Sequence, residues 1–130
     1  MREGKDVAIF ACGIEVSAAL DAAELLASEG VEATVMDVFT IQPLDRGAIL
    51  EAAERTGAVV TAENHSINGG LGSAIAECLG EGCPVPMERV GNLGEFGDVG
   101  KLTDLMKRYH LTAKDIAEKA RKVLARKQTI

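Results

Sequence analysis

Apolar residues along the chain fall in short continuous blocks separated by stretches of helical spacing. Val7 to Ala11 (Val-Ala-Ile-Phe-Ala) is an apolar run of strand length, broken by Gly13. Residues 15 to 29 then carry Val16, Ala19, Leu20, Ala23 and Leu26 near helical spacing and close at Gly30, where glycine is favoured just past a helix. Ala33 to Val38 is a second strand; after the Gln42-Pro43-Leu44 turn, Asp45 is placed to cap a helix carrying Ile49, Leu50 and Ala53 that stops near Gly57. Ala58 to Ala62 is a third strand, apolar on both faces. The segment Asn68-Gly69-Gly70-Leu71-Gly72 leads into a third helix over 73–79. Beyond Pro84-Val85-Pro86, Met87 to Val90 has the length of an edge strand, and residues 91–100, with four glycines, read as an irregular loop. Thr112 and Asp115 have capping-box spacing, and Ile116, Ala120, Val123 and Leu124 share one face of a C-terminal helix.

Strand and helix alternate, which predicts one α/β domain over residues 1–130. With no Trp, one Tyr and three Phe, its core is aliphatic, as suits a buried parallel sheet under Ala-rich helices. At this length roughly two thirds of the unfolded surface can be withdrawn from water, so the core needs no staples. The three cysteines, Cys12, Cys78 and Cys83, lack metal or disulfide-framework spacing. No apolar stretch approaches a membrane span, and no long apolar leader precedes the first strand, so the cytoplasm is the expected compartment. The net charge of -6 opposes nucleic acid and anionic membranes. That charge is uneven: residues 1–100 hold 17 acidic and 5 basic side chains, whereas 101–130 hold 3 acidic and 9 basic. The basic C-terminal helix is read as a solvated outer face, with docking to an acidic partner as the alternative.

Nucleotide chemistry is disfavoured by the first strand-to-helix turn, Ala11-Cys12-Gly13-Ile14-Glu15, which has one glycine and an acid where a pyrophosphate would sit. A P-loop is absent, and the acidic residues of a phosphoacceptor receiver do not fall after the first and third strands. The second glycine cluster is more site-like. Glycines before a helix leave N–H groups open to an anion or a partner's side chain; equally, Gly69 and Gly70 permit positive φ and Gly72 permits close packing on the sheet. His65 lies just past the end of the third strand, where open α/β sheets place ligands. Glu63 either exchanges a proton or fixes the loop by accepting backbone N–H groups. Cys12 lacks a base and reads as an inert thiol, and His110 reads as structural.

Four motifs in order carry a family resemblance: Asp37-Val-Phe-Thr-Ile-Gln-Pro-Leu-Asp45; Thr56-Gly-Ala-Val-Val-Thr-Ala-Glu-Asn-His65-Ser66; Gly69-Gly70-Leu71-Gly72-Ser73-Ala74-Ile75-Ala76-Glu77; and Pro84-Val-Pro-Met-Glu-Arg-Val-Gly91 followed by Phe96-Gly97. Together they resemble the C-terminal domain of transketolase-like thiamine diphosphate enzymes over residues 4 to 127, above all the C-terminal section of transketolases split into two polypeptides. Deoxyxylulose phosphate synthase and the β subunit of 2-oxo acid dehydrogenase E1 share the domain.

The resemblance implies a three-layer α/β/α fold with a mostly parallel sheet and one antiparallel edge strand. It implies transfer of a two-carbon ketol unit between sugar phosphates by a complete enzyme that holds thiamine diphosphate and a divalent metal elsewhere, so that this domain binds neither and is inactive alone. It also implies an N-terminal, thiamine diphosphate-binding section as partner, assembly into a homo- or hetero-oligomer, and apolar surface left where other domains pack. Glu63, His65, Ser66, Gly69, Gly70 and Gly72 become the candidates for the substrate channel or an interface. Asn64, Gln42 and Val99 depart from the family's usual acid, Lys and Ser. Two other readings are an interaction module and an anion-binding regulatory domain, each keeping this fold without the chemistry.

Overall fold

Strand β1 (Val7–Ala11) is buried along its whole length because neighbours cover both its edges and both its faces. Val7, Ile9 and Ala11 point into one apolar layer and Ala8 and Phe10 into the other, as the two-residue period of a strand requires. The computed structural model describes residues 3–13, 15–38, 45–66, 70–92 and 112–128, with the side chains of residues 64–66, 92 and 128 outside the described set.

The elements alternate in the expected order: β1, α1 (Glu15–Ala27), β2 (Ala33–Asp37), α2 (Arg46–Thr56), β3 (Val59–Ser66), α3 (Leu71–Gly82), β4 (Met87–Asn92) and α4 (Ala113–Gln128). The sheet order is β2-β1-β3-β4, with all three pairings parallel. Helices α1 and α4 cover one face through Ala19, Ala22, Ala23, Leu26, Ile116, Ala120 and Val123, while α2 and α3 cover the other through Ile49, Ala52, Leu71 and Ile75. Ala-rich helix faces bring backbones close to the sheet, and Phe10 is the largest fully buried side chain.

Local signals operate as written in the chain. Asp45 Oδ1 accepts from Ala48 N at 3.1 Å, and Gly57, at φ 71°, ends α2 by donating to Ala53 O at 2.7 Å. Thr112 N and Oγ1 both donate to Asp115 Oδ2, at 2.9 and 2.6 Å, forming the capping box that opens α4.

Several boundaries differ from the sequence pattern, among them the end of α3, at Gly82 rather than at residue 79. Strand β3 continues past Ala62 to Ser66, and β4 continues to Asn92, taking Gly91 and Asn92 out of the expected loop; Ser66 pairs with Asn92 after an irregularity beyond Ala62. Helix α3 begins at Leu71 rather than Ser73, because its first turn is capped from the sheet. The expected antiparallel edge strand is not among the described residues. The edge strand that is described, β4, runs parallel to β3 because the connection through α3 returns the chain to the same end of the sheet. His110 and the remainder of the expected loop lie outside the described residues.

Candidate functional site at the carboxyl end of the sheet

In this strand order the winding direction reverses between β1 and β3, and the crevice at their carboxyl ends is where open α/β sheets bind ligands. Glu63 occupies the β3 side of it. Its side chain is 1% exposed, and Oε1 accepts from Leu71 N at 3.0 Å while Oε2 accepts from Gly72 N at 2.6 Å. The residue in the N-cap position of α3 is Gly70, which has no side chain to offer, so a carboxylate from the strand satisfies two of the open N–H groups of the first turn.

This arrangement decides between the alternatives for the glycine cluster at two positions. Gly70 sits at φ -101°, so positive φ is not its role. A Cβ on Gly72 would come within 3.1 Å of Arg89 Cδ and 3.2 Å of Thr61 Oγ1, so Gly72 is where α3 approaches the sheet. Thr61 Oγ1 is itself buried beneath this contact without a hydrogen-bond partner. The side chains of His65 and Ser66, and Gly69 altogether, lie outside the described residues; only the backbone of 65 and 66 is placed, at the end of β3.

The β1 side of the crevice is acidic. Cys12 follows β1, and its thiol is pushed up from the ordinary cysteine range by burial and then by the negative fields of Glu63, Asp37 and Glu15. A thiol held protonated in this way is a poor nucleophile, as its lack of a base implied. Glu15, in the first turn of α1, is 0% exposed, and neither of its oxygens has a hydrogen-bond partner. Burial first and Asp115 second push its carboxyl up to about 7. The sequence reading treated Glu15 only as an obstacle to phosphate. The available signal was its place one turn before Ala18 and Ala19, on the face of α1 that faces the core. Among the described residues no group of three His, Cys, Asp or Glu side chains is placed to hold a metal ion.

The basic C-terminal helix proves to be bound up within the domain. Arg126 donates to Glu88 Oε2 at 2.5 Å and to Met87 O at 2.8 Å; Lys119 and Lys122 approach Glu88 Oε1 at 3.7 and 3.6 Å. Arg121 binds Glu29 through two hydrogen bonds, at 3.0 and 2.5 Å, which lowers the Glu29 carboxyl below its ordinary range. Lys127 Nζ donates to Thr56 O, the last residue of α2, at 2.6 Å. The broad apolar surface expected where other domains pack is not found among the described residues, where Leu25, 40% exposed, is the exposed large hydrophobic side chain. Nor, among them, is any helix long and apolar enough to cross a membrane.

Fold and site together define a three-layer α/β domain with buried acids near the carboxyl end of its sheet and a third helix capped from the sheet. Comparison with known proteins identifies it further. The family model for the transketolase C-terminal domain matches residues 1–116, and the chain belongs to that family. It is 57% identical over 128 residues to the 6-deoxy-6-sulfo-D-fructose transketolase subunit SqwH of Clostridium sp. (strain MSTE9), covering 98% of this chain and 39% of that protein. It is 43% identical over 129 residues to 1-deoxy-D-xylulose-5-phosphate synthase 1 of Geobacter sulfurreducens, covering 98% of this chain and 20% of that protein. A solved structure described as a split gene transketolase, inactive beta4 tetramer, superposes with a TM-score of 0.91 at 47% identity over 95% of this chain and 41% of that one. The chain therefore spans about two fifths or less of the length of these relatives.

Proposed function

We propose that this chain is the C-terminal section of a split, transketolase-type enzyme that transfers a two-carbon ketol unit between sugar phosphates and is inactive without its thiamine diphosphate-binding companion. The observation that carries this reading is a near-complete match to about two fifths of a split transketolase chain. The described residues do not fit a diphosphate and its metal. Glu63 already takes the Leu71 and Gly72 N–H groups, and the fields of Glu63 and Asp37 at the strand ends act against an anion there. That supports a cofactor held by the companion section.

In this reading the domain contributes subunit contacts and a wall of the active-site entrance. His65, Ser66, Gly69 and Gly70 face the channel or a neighbour, and Glu63 and Gly72 anchor the end of that loop. The high identity to a subunit named for 6-deoxy-6-sulfo-D-fructose supports a second reading, in which the ketol donor is a sulfosugar rather than a sugar phosphate.

The test is reconstitution with a thiamine diphosphate-binding companion, assayed with a ketose phosphate and with 6-deoxy-6-sulfo-D-fructose as donors. Ketol transfer that appears only in the mixture is expected, and the preferred donor chooses between the two readings. A companion that is fully active alone overturns the proposal. When pyruvate and glyceraldehyde 3-phosphate are supplied instead, formation of 1-deoxy-D-xylulose 5-phosphate with release of CO2, and no ketol transfer from either donor, assigns the chain to the synthase branch of the family. His65→Ala in the assembled enzyme is expected to lower activity, and unchanged kinetics removes His65 from the channel.

A further inference from the structure

Ahead of β1, exposure alternates along the chain: Glu3 and Lys5 are exposed, whereas Gly4 and Asp6 are half-buried. The backbone bends at Lys5 and Asp6 and lays Gly4 against the start of β2. Gly4 N donates to Thr34 Oγ1 at 2.9 Å, and Thr34 Oγ1 donates back to Gly4 O at 2.7 Å. Asp6 and Glu32 are joined in the same reciprocal way. Asp6 N donates to Glu32 O at 2.9 Å, and Glu32 N donates to Asp6 Oδ2 at 2.8 Å.

The approach is too close for any side chain at position 4. A Cβ there would lie 2.5 Å from the carbonyl carbon of Glu32 and 2.7 Å from Ala33 N, backbone atoms that cannot swing aside. Thr34 is buried, and its hydroxyl has used its whole capacity. It donates once, to Gly4 O, and accepts twice, from Gly4 N and, at 3.0 Å, from Arg55 Nη2. Thr34 stands in register with Ala8, so it faces the layer that α2 covers, and Arg55 reaches it from the last turn of α2. Glu51, one turn back, holds the Arg55 guanidinium in place.

From the opposite layer comes Lys127 of α4. Its Nζ donates to Thr56 O, at the end of α2, and at 3.4 Å to Asp6 O. Helices α2 and α4 cover opposite faces of the sheet, and these contacts join them around its amino end.

We infer that residues 3–6 are a strap that clasps the two helix layers at the amino end of the sheet, a fixed joint through which any polypeptide joined ahead of Glu3 meets the domain on the α2 side. A section joined through it is held in one orientation, at the end of the sheet opposite the candidate site. A flexible leader of the same length would let that section swing.

The test is backbone NMR on the full chain. In the parent, the Gly4 and Asp6 amides are expected to exchange at least about tenfold more slowly than open-chain amides, because both are bonded. Order parameters of residues 3–6 are expected above about 0.8, as in a rigid element. Values below about 0.6, or open-chain exchange at Gly4, overturn the proposal.

Thr34→Val keeps the shape of the side chain and removes the hydroxyl. It is expected to bring Gly4 to the open-chain rate and to speed exchange of the Gly57 amide that closes α2, while Ala8 of β1, bonded to Ala58 O, stays protected. Lys127→Met, which removes the contact from α4, is expected to speed exchange at Asp6. A Gly4 amide indifferent to Thr34→Val overturns the strap. Gly57 and Asp6 amides that ignore both substitutions overturn the clasp between the layers.

Discussion

The Glu63 carboxylate and the backbone N–H of Gly72 meet at 2.6 Å, joining strand β3 to the first turn of α3 within the protein interior. Through its other oxygen Glu63 also holds the N–H of Leu71. One side chain therefore holds the first turn of α3 to β3.

Removing that side chain leaves two interior donors open and forfeits two charge-assisted hydrogen bonds. Glu63→Ala is expected to destabilise the domain by about 2–4 kcal/mol, read as a lower midpoint in urea. A loss below about 0.5 kcal/mol would mean that the first turn of α3 finds other acceptors.

Two glycines of α3 are expected to respond to alanine with opposite signs. At Gly72 the new methyl would press on Arg89 Cδ at 3.1 Å and Thr61 Oγ1 at 3.2 Å, costing about 1–3 kcal/mol. At Gly80 nothing lies within 4 Å of the added carbon, and helix propensity should raise stability by about 0.5–1 kcal/mol. Equal effects in parallel urea titrations would refute the close approach at Gly72.

Glu88 gathers Lys119, Lys122 and Arg126 onto the edge strand. Glu88→Gln is expected to cost about 1 kcal/mol at low ionic strength, and less in about 1 M salt, because the three cations are substantially exposed. A cost that does not change with salt would show that packing, rather than charge, holds α4 there.

Burial and three neighbouring acids raise the Cys12 thiol, so its thiolate is scarce at neutral pH. Alkylation followed by peptide mass analysis is expected to label Cys12 more slowly than a free model thiol. The rate should climb with pH through a midpoint above that of the model thiol. Labelling at or above the model rate near neutral pH would contradict this.

Much of the architecture was legible because its signals are local. The alternation of apolar runs with helical spacing depends on neighbours within one strand or one turn. The Asp45 cap, the Gly57 stop and the Thr112–Asp115 box each act across three or four residues. The α4 face formed by Ile116, Ala120 and Val123 is the one that reaches the core. At the site, the place of Glu63 and His65 near the carboxyl end of the third strand was legible for the same reason, although the structure takes both into β3 rather than past its end. Glu63 as an acceptor of backbone N–H groups was one of two readings of that residue, and the structure selects it.

What the chain alone determined, then, is which segments form strands and helices and which faces they bury, because those preferences arise between residues a few positions apart. Only the tertiary structure decided that β3 runs on to pair with Asn92, that Glu63 caps a helix eight and nine residues away, and that Arg126 reaches Glu88 across 38 residues. It also decided that Glu15 is sealed in without a partner. Each of these depends on the sheet order β2-β1-β3-β4, which brings distant segments side by side and withdraws their polar groups from water, where partners must be found in space rather than along the chain.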